Sequence, residues 1–238
     1  MKFSEKFTVN SHQCDAHGIV RPTALMTYMQ EAANIQLRTY GPSGDELREH
    51  GQAFVLSRIG MSFYAPLYAY NTYTMQTWAC ESRGYSFFRC HRLLNGNEVL
   101  AEAISVWALL DIAAKKPLRT TEFHPNFGTD EMLAFEVPSR IRILPERLKL
   151  AGEHTVRYSE TDINRHMNNT VYADMLCDYI DVAGRRPIHM NINYFNEAPL
   201  GEVLKVYLEE AGHDLFRFRT LREDGKINVE AEIVLENI

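Results

Sequence analysis

The chain has 238 residues, 45% of them hydrophobic and 24% charged, with a formal net charge of −6. That is apolar material for one large core or two small ones, and it excludes a disordered chain. The acidic balance gives no reason to expect nucleic acid as a partner, and no run of about 18 apolar residues suggests a membrane span.

Met1 to Lys6 carry no apolar run behind them, so no signal peptide is expected and the expected setting is cytoplasmic. The first half then predicts a short strand ending at Asp15 and a helix from Pro22 to Thr39, with Leu25, Tyr28, Met29 and Ala32 at helical spacing. Gly41 to Leu47 form a loop with a short helix. Strands over Phe87–Leu94 and Val99–Leu110 flank an Asn95-Gly96-Asn97 turn. Four prolines (Pro117, Pro125, Pro138, Pro145) mark the stretch from Ile112 to Gly152 as a crossing segment. The expected division is residues 1–125, a linker over 126–150, and residues 151–238. The second half predicts a strand ending at Asp162, a helix from Asn168 to Ala183 and four further strands, the last three over Val203–Leu208, Leu215–Leu221 and Ile227–Leu235. In the first of the four Met190, Ile192 and Tyr194 alternate with polar residues, and Glu223-Asp224-Gly225 makes the last turn.

The halves repeat one another. Asp15 falls on Asp162 and Thr23 on Thr170 at an offset of 162 − 15 = 147, and Ala65-Pro66-Leu67 matches Ala198-Pro199-Leu200 at 198 − 65 = 133. The difference implies about 14 extra residues after the first helix. Phe88-Arg89 and Glu102-Ala103 match Phe216-Arg217 and Glu230-Ala231 at 216 − 88 = 128. One helix followed by consecutive antiparallel strands, written twice, predicts an α+β fold.

Asp162, Asn164 and His166 alternate along what reads as an extended segment, so they face one way at a handover from strand to helix. A helix start polarises a carbonyl, a carboxylate can activate water or attack, and His passes protons near neutral pH. An isolated Asp before a helix is more often a cap, and Asn168 or Asn169 could cap as well. Cys177, on the same helix, is a conceivable nucleophile without an evident activating partner. The other cysteines (Cys14, Cys80, Cys90) form no CxxC pair and fit buried thiols in a reducing compartment. One His and one carboxylate are too few for a metal, so neither metal nor cofactor is expected.

Val156 to Asp162, followed by His166-Met167-Asn168-Asn169-Thr170-Val171-Tyr172, resembles the signature of hot-dog-fold thioesterases. Asp-x-Asn-x-His with Asn-Asn is similar to the acyl–acyl carrier protein (acyl-ACP) thioesterases of plant plastids and bacteria. The resemblance covers essentially the whole chain. It implies a double hot dog, two repeats in which a curved antiparallel sheet wraps a long helix. It implies hydrolysis of fatty acyl-ACP in fatty acid biosynthesis, through Asp162, Asn164, His166 and Glu197, the last in Ile192-Asn-Tyr194-Phe-Asn-Glu197-Ala198. Where that family has Cys after the Glu, this chain has Ala198, which excludes a cysteine nucleophile there. Asp162 and Glu197 would activate water, His166 would move the proton, and Asn164 would hold the carbonyl oxygen beside helix N–H groups. A covalent route through a carboxylate stays open.

In the first half Ile19 stands at the His166 position, His17 at the Asn164 position and Tyr64 at the Glu197 position. That half is expected to supply an acyl pocket, with Leu25, Met29, Ala32, Ala33, Phe54, Leu56 and Trp107 as its candidate lining, although simple core packing fits each of them. An acidic carrier protein would favour basic surface: Lys115, Lys116 and Arg119; Arg140, Arg142, Arg147 and Lys149; or Arg185-Arg186, which equally suits a helix C-terminal dipole. Two fused units could pair within one chain, and a homodimer is left open. The rival readings are an acyl-CoA thioesterase and a non-catalytic acyl-binding protein.

Overall fold

The computed structural model describes residues 1–212 and 214–238. The chain divides into two compact units, Met1–Val20 with Ala24–Pro138, and Arg21–Thr23 with Ser139–Ile238.

The first unit contains β1 (Phe3–Thr8), α1 (Pro22–Tyr40), α2 (Gly44–Glu49), β2 (Gln52–Phe63), β3 (Thr72–Ala79), β4 (Phe87–Asn95), β5 (Glu98–Asp111) and the two-residue β6 (Lys116–Pro117). Its sheet is antiparallel in the order β1-β3-β4-β5-β2, with β6 on β5. Helix α1 forms where periodicity places it. Leu25, Met29, Ala32, Ala33 and Gln36 lie on its buried face. Gln36 accepts a hydrogen bond from Arg89 Nη1 of β4 at 2.6 Å, and Thr77 Oγ1 accepts from the same guanidinium at 3.1 Å. A buried arginine is tolerated because its N–H groups are taken up in this way. On the alternate face of β4, Trp78, Cys80, Cys90, Ile104 and Leu133 form a buried cluster, with the Cys80 and Cys90 thiols hydrogen-bonded at 3.3 Å rather than joined as a disulfide. Trp78 Nε1 donates to the Glu131 carbonyl at 2.8 Å, so the chain beyond Thr120 closes over this cluster.

The second unit contains β7 (Lys149–Thr155), α3 (Tyr172–Cys177), β8 (Arg185–Tyr194), β9 (Val203–Glu210), β10 (Leu215–Leu221) and β11 (Ile227–Asn237). Its sheet order, β7-β9-β10-β11-β8, repeats that of the first unit, again antiparallel. The expected helix over Asn168–Ala183 is corrected to a six-residue α3. Asn168 Oδ1 accepts from the Thr170 amide (2.9 Å) and hydroxyl (3.0 Å), which makes a turn of the residues before the helix. Beyond Cys177, Asp178, Ile180, Asp181 and Val182 are poor helix formers, and the two aspartates oppose the dipole at a helix C-terminus.

Backbone hydrogen bonds correct the repeat register. Val20 N–H donates to Leu67 O and Tyr64 N–H to Leu100 O; in the second unit Met167 N–H donates to Ala198 O and Phe195 N–H to Asn228 O. The loop after β2 therefore matches the loop after β8 at 198 − 67 = 131, two short of the offset given by the shared Ala-Pro-Leu. Pro66, not Tyr64, stands at the Glu197 position, and the first unit has 147 − 131 = 16 extra residues rather than 14. Phe88-Arg89 is also out of register by one. Arg92 pairs with Glu102 and Arg219 with Glu230, giving 219 − 92 = 127 for β4 and β10 against 230 − 102 = 128 for β5 and β11.

Candidate active site

The turn that carries the predicted cluster is not extended. Asp162 N–H donates to His166 O (3.1 Å), Arg165 N–H to Asp162 O (3.0 Å), and Asn164 N–H to Asp162 Oδ1 (2.8 Å). Asp162 thus closes an Asx-type turn instead of capping a helix; α3 begins ten residues later. Helix N–H groups beside Asn164, expected from the sequence, are accordingly absent from this turn. Arg165 sits at φ 68°, where the first unit has Gly18 at φ 75°. Arginine is strained in this left-handed region, by roughly 1–2 kcal/mol, so the second unit holds its turn against a local preference.

Both Asp162 carboxylate oxygens face Asn164, because Oδ2 also accepts from Asn164 Nδ2 at 3.3 Å. His166 is mostly buried. Its Nδ1 lies 3.2 Å from the Met167 carbonyl, and donation there leaves the lone pair of the neutral ring on Nε2. Nε2 is 3.7 Å from Glu197 Oε1, too long for a direct hydrogen bond but within reach of a shared water. Glu197 is 69% exposed, whereas the neighbouring Ala198 is fully buried and offers no room for a nucleophile. The Met167 N–H to Ala198 O bond (2.8 Å) and the His166–Pro199 bridge join the two loops. All four predicted residues therefore lie on two tied loops of one unit.

Sequence reasoning missed what braces these loops. Glu160 Oε2 takes His154 Nε2 (3.0 Å) and the Arg157 amide (2.8 Å), while the Glu160 carbonyl takes the Asn168 amide (2.8 Å). Tyr194 donates its hydroxyl to the Asn169 carbonyl at 2.8 Å, and its ring meets Tyr172 edge-on. Burial raises both phenols well above the usual tyrosine range, so they act as fixed neutral donors and acceptors. Burial likewise pushes the Cys177 thiol up to about 12, which removes it as a nucleophile near neutral pH. No group of three or more His, Cys, Asp or Glu suited to a metal occurs among the described residues.

The matching turn in the first unit keeps its shape but not its chemistry. Asp15 Oδ1 accepts from the His17 (2.8 Å) and Ile19 (3.0 Å) amides, Ile19 stands where His166 does, and Pro66 where Glu197 does. Of the basic candidates, Arg185 pairs with Asp214, Arg186 with Glu236 and Arg147 with Glu209. Lys115, Lys116, Arg119, Arg140, Arg142 and Lys149 are exposed, and Arg140 lies over the Phe195 ring at 5.9 Å.

The acyl-ACP thioesterase N-terminal domain matches residues 1–123 and the acyl-ACP thioesterase C-terminal domain residues 146–237. The chain belongs to the acyl-ACP thioesterase family. An acyl-ACP thioesterase of Bacteroides thetaiotaomicron superposes with a TM-score of 0.90 at 21% identity, covering 99% of this chain and 98% of that one. A 12:0-ACP thioesterase of Umbellularia californica gives a TM-score of 0.83 at 14% identity, over 100% and 98% of the two chains. The double hot dog is thus the fold, with the shortened α3 as the departure from two long helices. The chloroplastic palmitoyl-acyl carrier protein thioesterase of Arabidopsis thaliana is 21% identical over 92% of this chain. An acyl-[acyl-carrier-protein] hydrolase of Cuphea viscosissima is 23% identical over 71% of it. The chain spans 57% and 45% of the lengths of these two curated relatives of the acyl-ACP thioesterase family. No helix among its described residues is long and apolar enough to cross a membrane.

Proposed function

We propose that the chain hydrolyses the thioester of fatty acyl-ACP to free fatty acid and carrier protein, with Asp162, Asn164, His166 and Glu197 as the working groups. The observation that carries this reading is the approach of His166 Nε2 to Glu197 Oε1 beside a turn in which Asp162 holds Asn164. A water bound between imidazole and carboxylate attacks the thioester carbonyl and gives its proton to this pair. The Asn164 carboxamide donates to the carbonyl oxygen as it becomes an oxyanion, and His166 returns the proton to the leaving thiolate. Because both Asp162 oxygens are committed to Asn164, we assign Asp162 to orienting that carboxamide and leave water activation to Glu197 and His166.

The exposure of Lys115, Lys116, Arg119, Arg140 and Arg142 supports an acidic carrier as partner, and Arg140 lies over Phe195, two residues before Glu197. In this reading the domain division is residues 1–125, a linker over 126–150 and residues 151–238, and the first half takes the acyl chain. Phe54, Phe87 and Phe123 meet edge to face there, with Leu25, Met29, Ala32 and Ala33 on α1. Four free cysteines fit a cytoplasmic setting.

Turnover of matched acyl-ACP and acyl-CoA substrates over several chain lengths tests the reading. It predicts a higher kcat/KM on the carrier protein, with the preference shrinking as salt rises. Equal or faster turnover of acyl-CoA would favour the rival thioesterase.

A further inference from the structure

The two units share their backbone but differ at one buried place. In both, two successive amides after the second strand of the unit bond a single carbonyl: Tyr64 and Ala65 to Leu100 O, Phe195 and Asn196 to Asn228 O. Three interior positions align, the second of them through the corrected register of β4 and β10. Leu25 matches Tyr172 at 172 − 25 = 147, Leu93 matches Thr220 at 220 − 93 = 127, and Leu100 matches Asn228 at 228 − 100 = 128. In the first unit all three are buried leucines. In the second they form a satisfied polar network. Asn228 Nδ2 donates to the Tyr172 hydroxyl at 3.0 Å and to the Asn196 carbonyl at 2.5 Å, while Thr220 donates to Asn228 Oδ1 at 2.9 Å. Thr220 Oγ1 in turn accepts from the Val229 amide at 3.0 Å.

The chain is therefore its own control. Leucines at these positions fold the first unit, so the architecture does not require the amide, hydroxyl and phenol. Buried polar groups give less than apolar packing unless every hydrogen bond is met, and what they add is a fixed geometry. Here the fixed element is the Asn196 carbonyl, one residue before Glu197, tied to the first residue of α3. We propose that Asn228, seated by Thr220, is the positioning residue that holds the Glu197 loop against α3, setting the distance from Glu197 to His166. This rests on the catalytic reading above; Asn228 itself touches no substrate.

The test compares wild type, Asn228→Leu (the residue of the first unit), Thr220→Ser and Tyr172→Phe, reading kcat, KM, the pH profile, thermal midpoint and amide exchange. Asn228→Leu leaves the Tyr172 hydroxyl and the Asn196 carbonyl without their buried partner, so it is expected to lower the thermal midpoint while keeping the fold, to lower kcat by about tenfold or more with KM within about twofold, and to speed exchange at Asn196 and Met167. Its pH profile shifts, because the spacing of Glu197 and His166 is no longer fixed. Thr220→Ser keeps the hydroxyl and holds wild-type kcat. If Asn228→Leu does not fold, Tyr172→Phe carries the test by removing one hydroxyl, with a smaller fall in kcat and faster exchange at Asn196. Wild-type kcat, pH profile and exchange in a folded Asn228→Leu would overturn the proposal. A wild type without thioester turnover would instead overturn the catalytic reading, leaving exchange at Asn196 to decide the tether.

Discussion

Replacing His166 with alanine is expected to lower kcat on acyl-ACP by about 10²- to 10⁴-fold, the usual cost of losing a positioned general acid–base group. The size follows from two jobs on one ring. In the proposed reaction His166, 3.7 Å from Glu197, shares the nucleophilic water with it and then protonates the leaving sulfur. The Nδ1 contact with the Met167 carbonyl fixes which nitrogen does so. Neither the Cys177 thiol, pushed up to about 12, nor Ala198, which carries no ionisable atom, offers a substitute. The fold should survive, because the Met167 to Ala198 bond that ties the loops belongs to the backbone. Steady-state kinetics beside a thermal melt check this. A folded variant within tenfold of wild type would remove His166 from the chemistry.

The largest expected effect on stability comes from His91, on β4 of the first unit. Its ring is almost fully buried, with Nε2 3.3 Å from Ser105 Oγ, and burial followed by the Arg89 charge pushes its pKa down to about 3. The unfolded chain binds this proton at the ordinary value near 6.5, so between about pH 6.5 and pH 3 unfolding takes up a proton that the folded state refuses. Stability therefore rises with pH across this window and is lost on acidification. The slope approaches about 1.4 kcal/mol per pH unit, with a total of about 5 kcal/mol below pH 3. Denaturant titrations from pH 7 to pH 4 should show this slope, and His91→Gln should flatten it. An identical slope in that variant would move the acid sensitivity to other groups.

Parts of this architecture were legible because the physics is local. Leu25, Met29 and Ala32 fall on one face of a 3.6-residue period, and α1 forms there. The second helix shows the same apolar spacing at Tyr172, Met175, Leu176 and Tyr179, yet turns made by Asn168 and the unfavourable Asp178 and Asp181 cut it to one and a half turns. Asp162, Asn164 and His166 could be read as a linear motif; their Asx turn could not, because nothing in an alternating pattern separates an extended segment from a tight one. Glu197 came only through the family resemblance, since its partner lies across a loop contact of the tertiary structure. Asn228 was hidden more deeply. Its match to Leu100 follows from the 128 offset of Glu102 and Glu230, but its bonds to Tyr172, Asn196 and Thr220 exist only in the folded unit and leave no mark on a linear pattern.

A division of labour between two turns of one shape is the centre of this account, and a matched pair of substitutions measures it. Asp15→Asn and Asp162→Asn each keep an Oδ1 that can accept the turn's amide bonds, so both proteins should fold as wild type. In the second unit, however, the new amide presents N–H₂ to Asn164 Nδ2 where Oδ2 accepted, and the carboxamide meant for the oxyanion must turn away. Acyl-ACP hydrolysis by the two variants should then part: near wild-type kcat for Asp15→Asn, and a fall of about 10²- to 10³-fold for Asp162→Asn. Loss of turnover in Asp15→Asn with Asp162→Asn unimpaired, or equal losses in both, would contradict it.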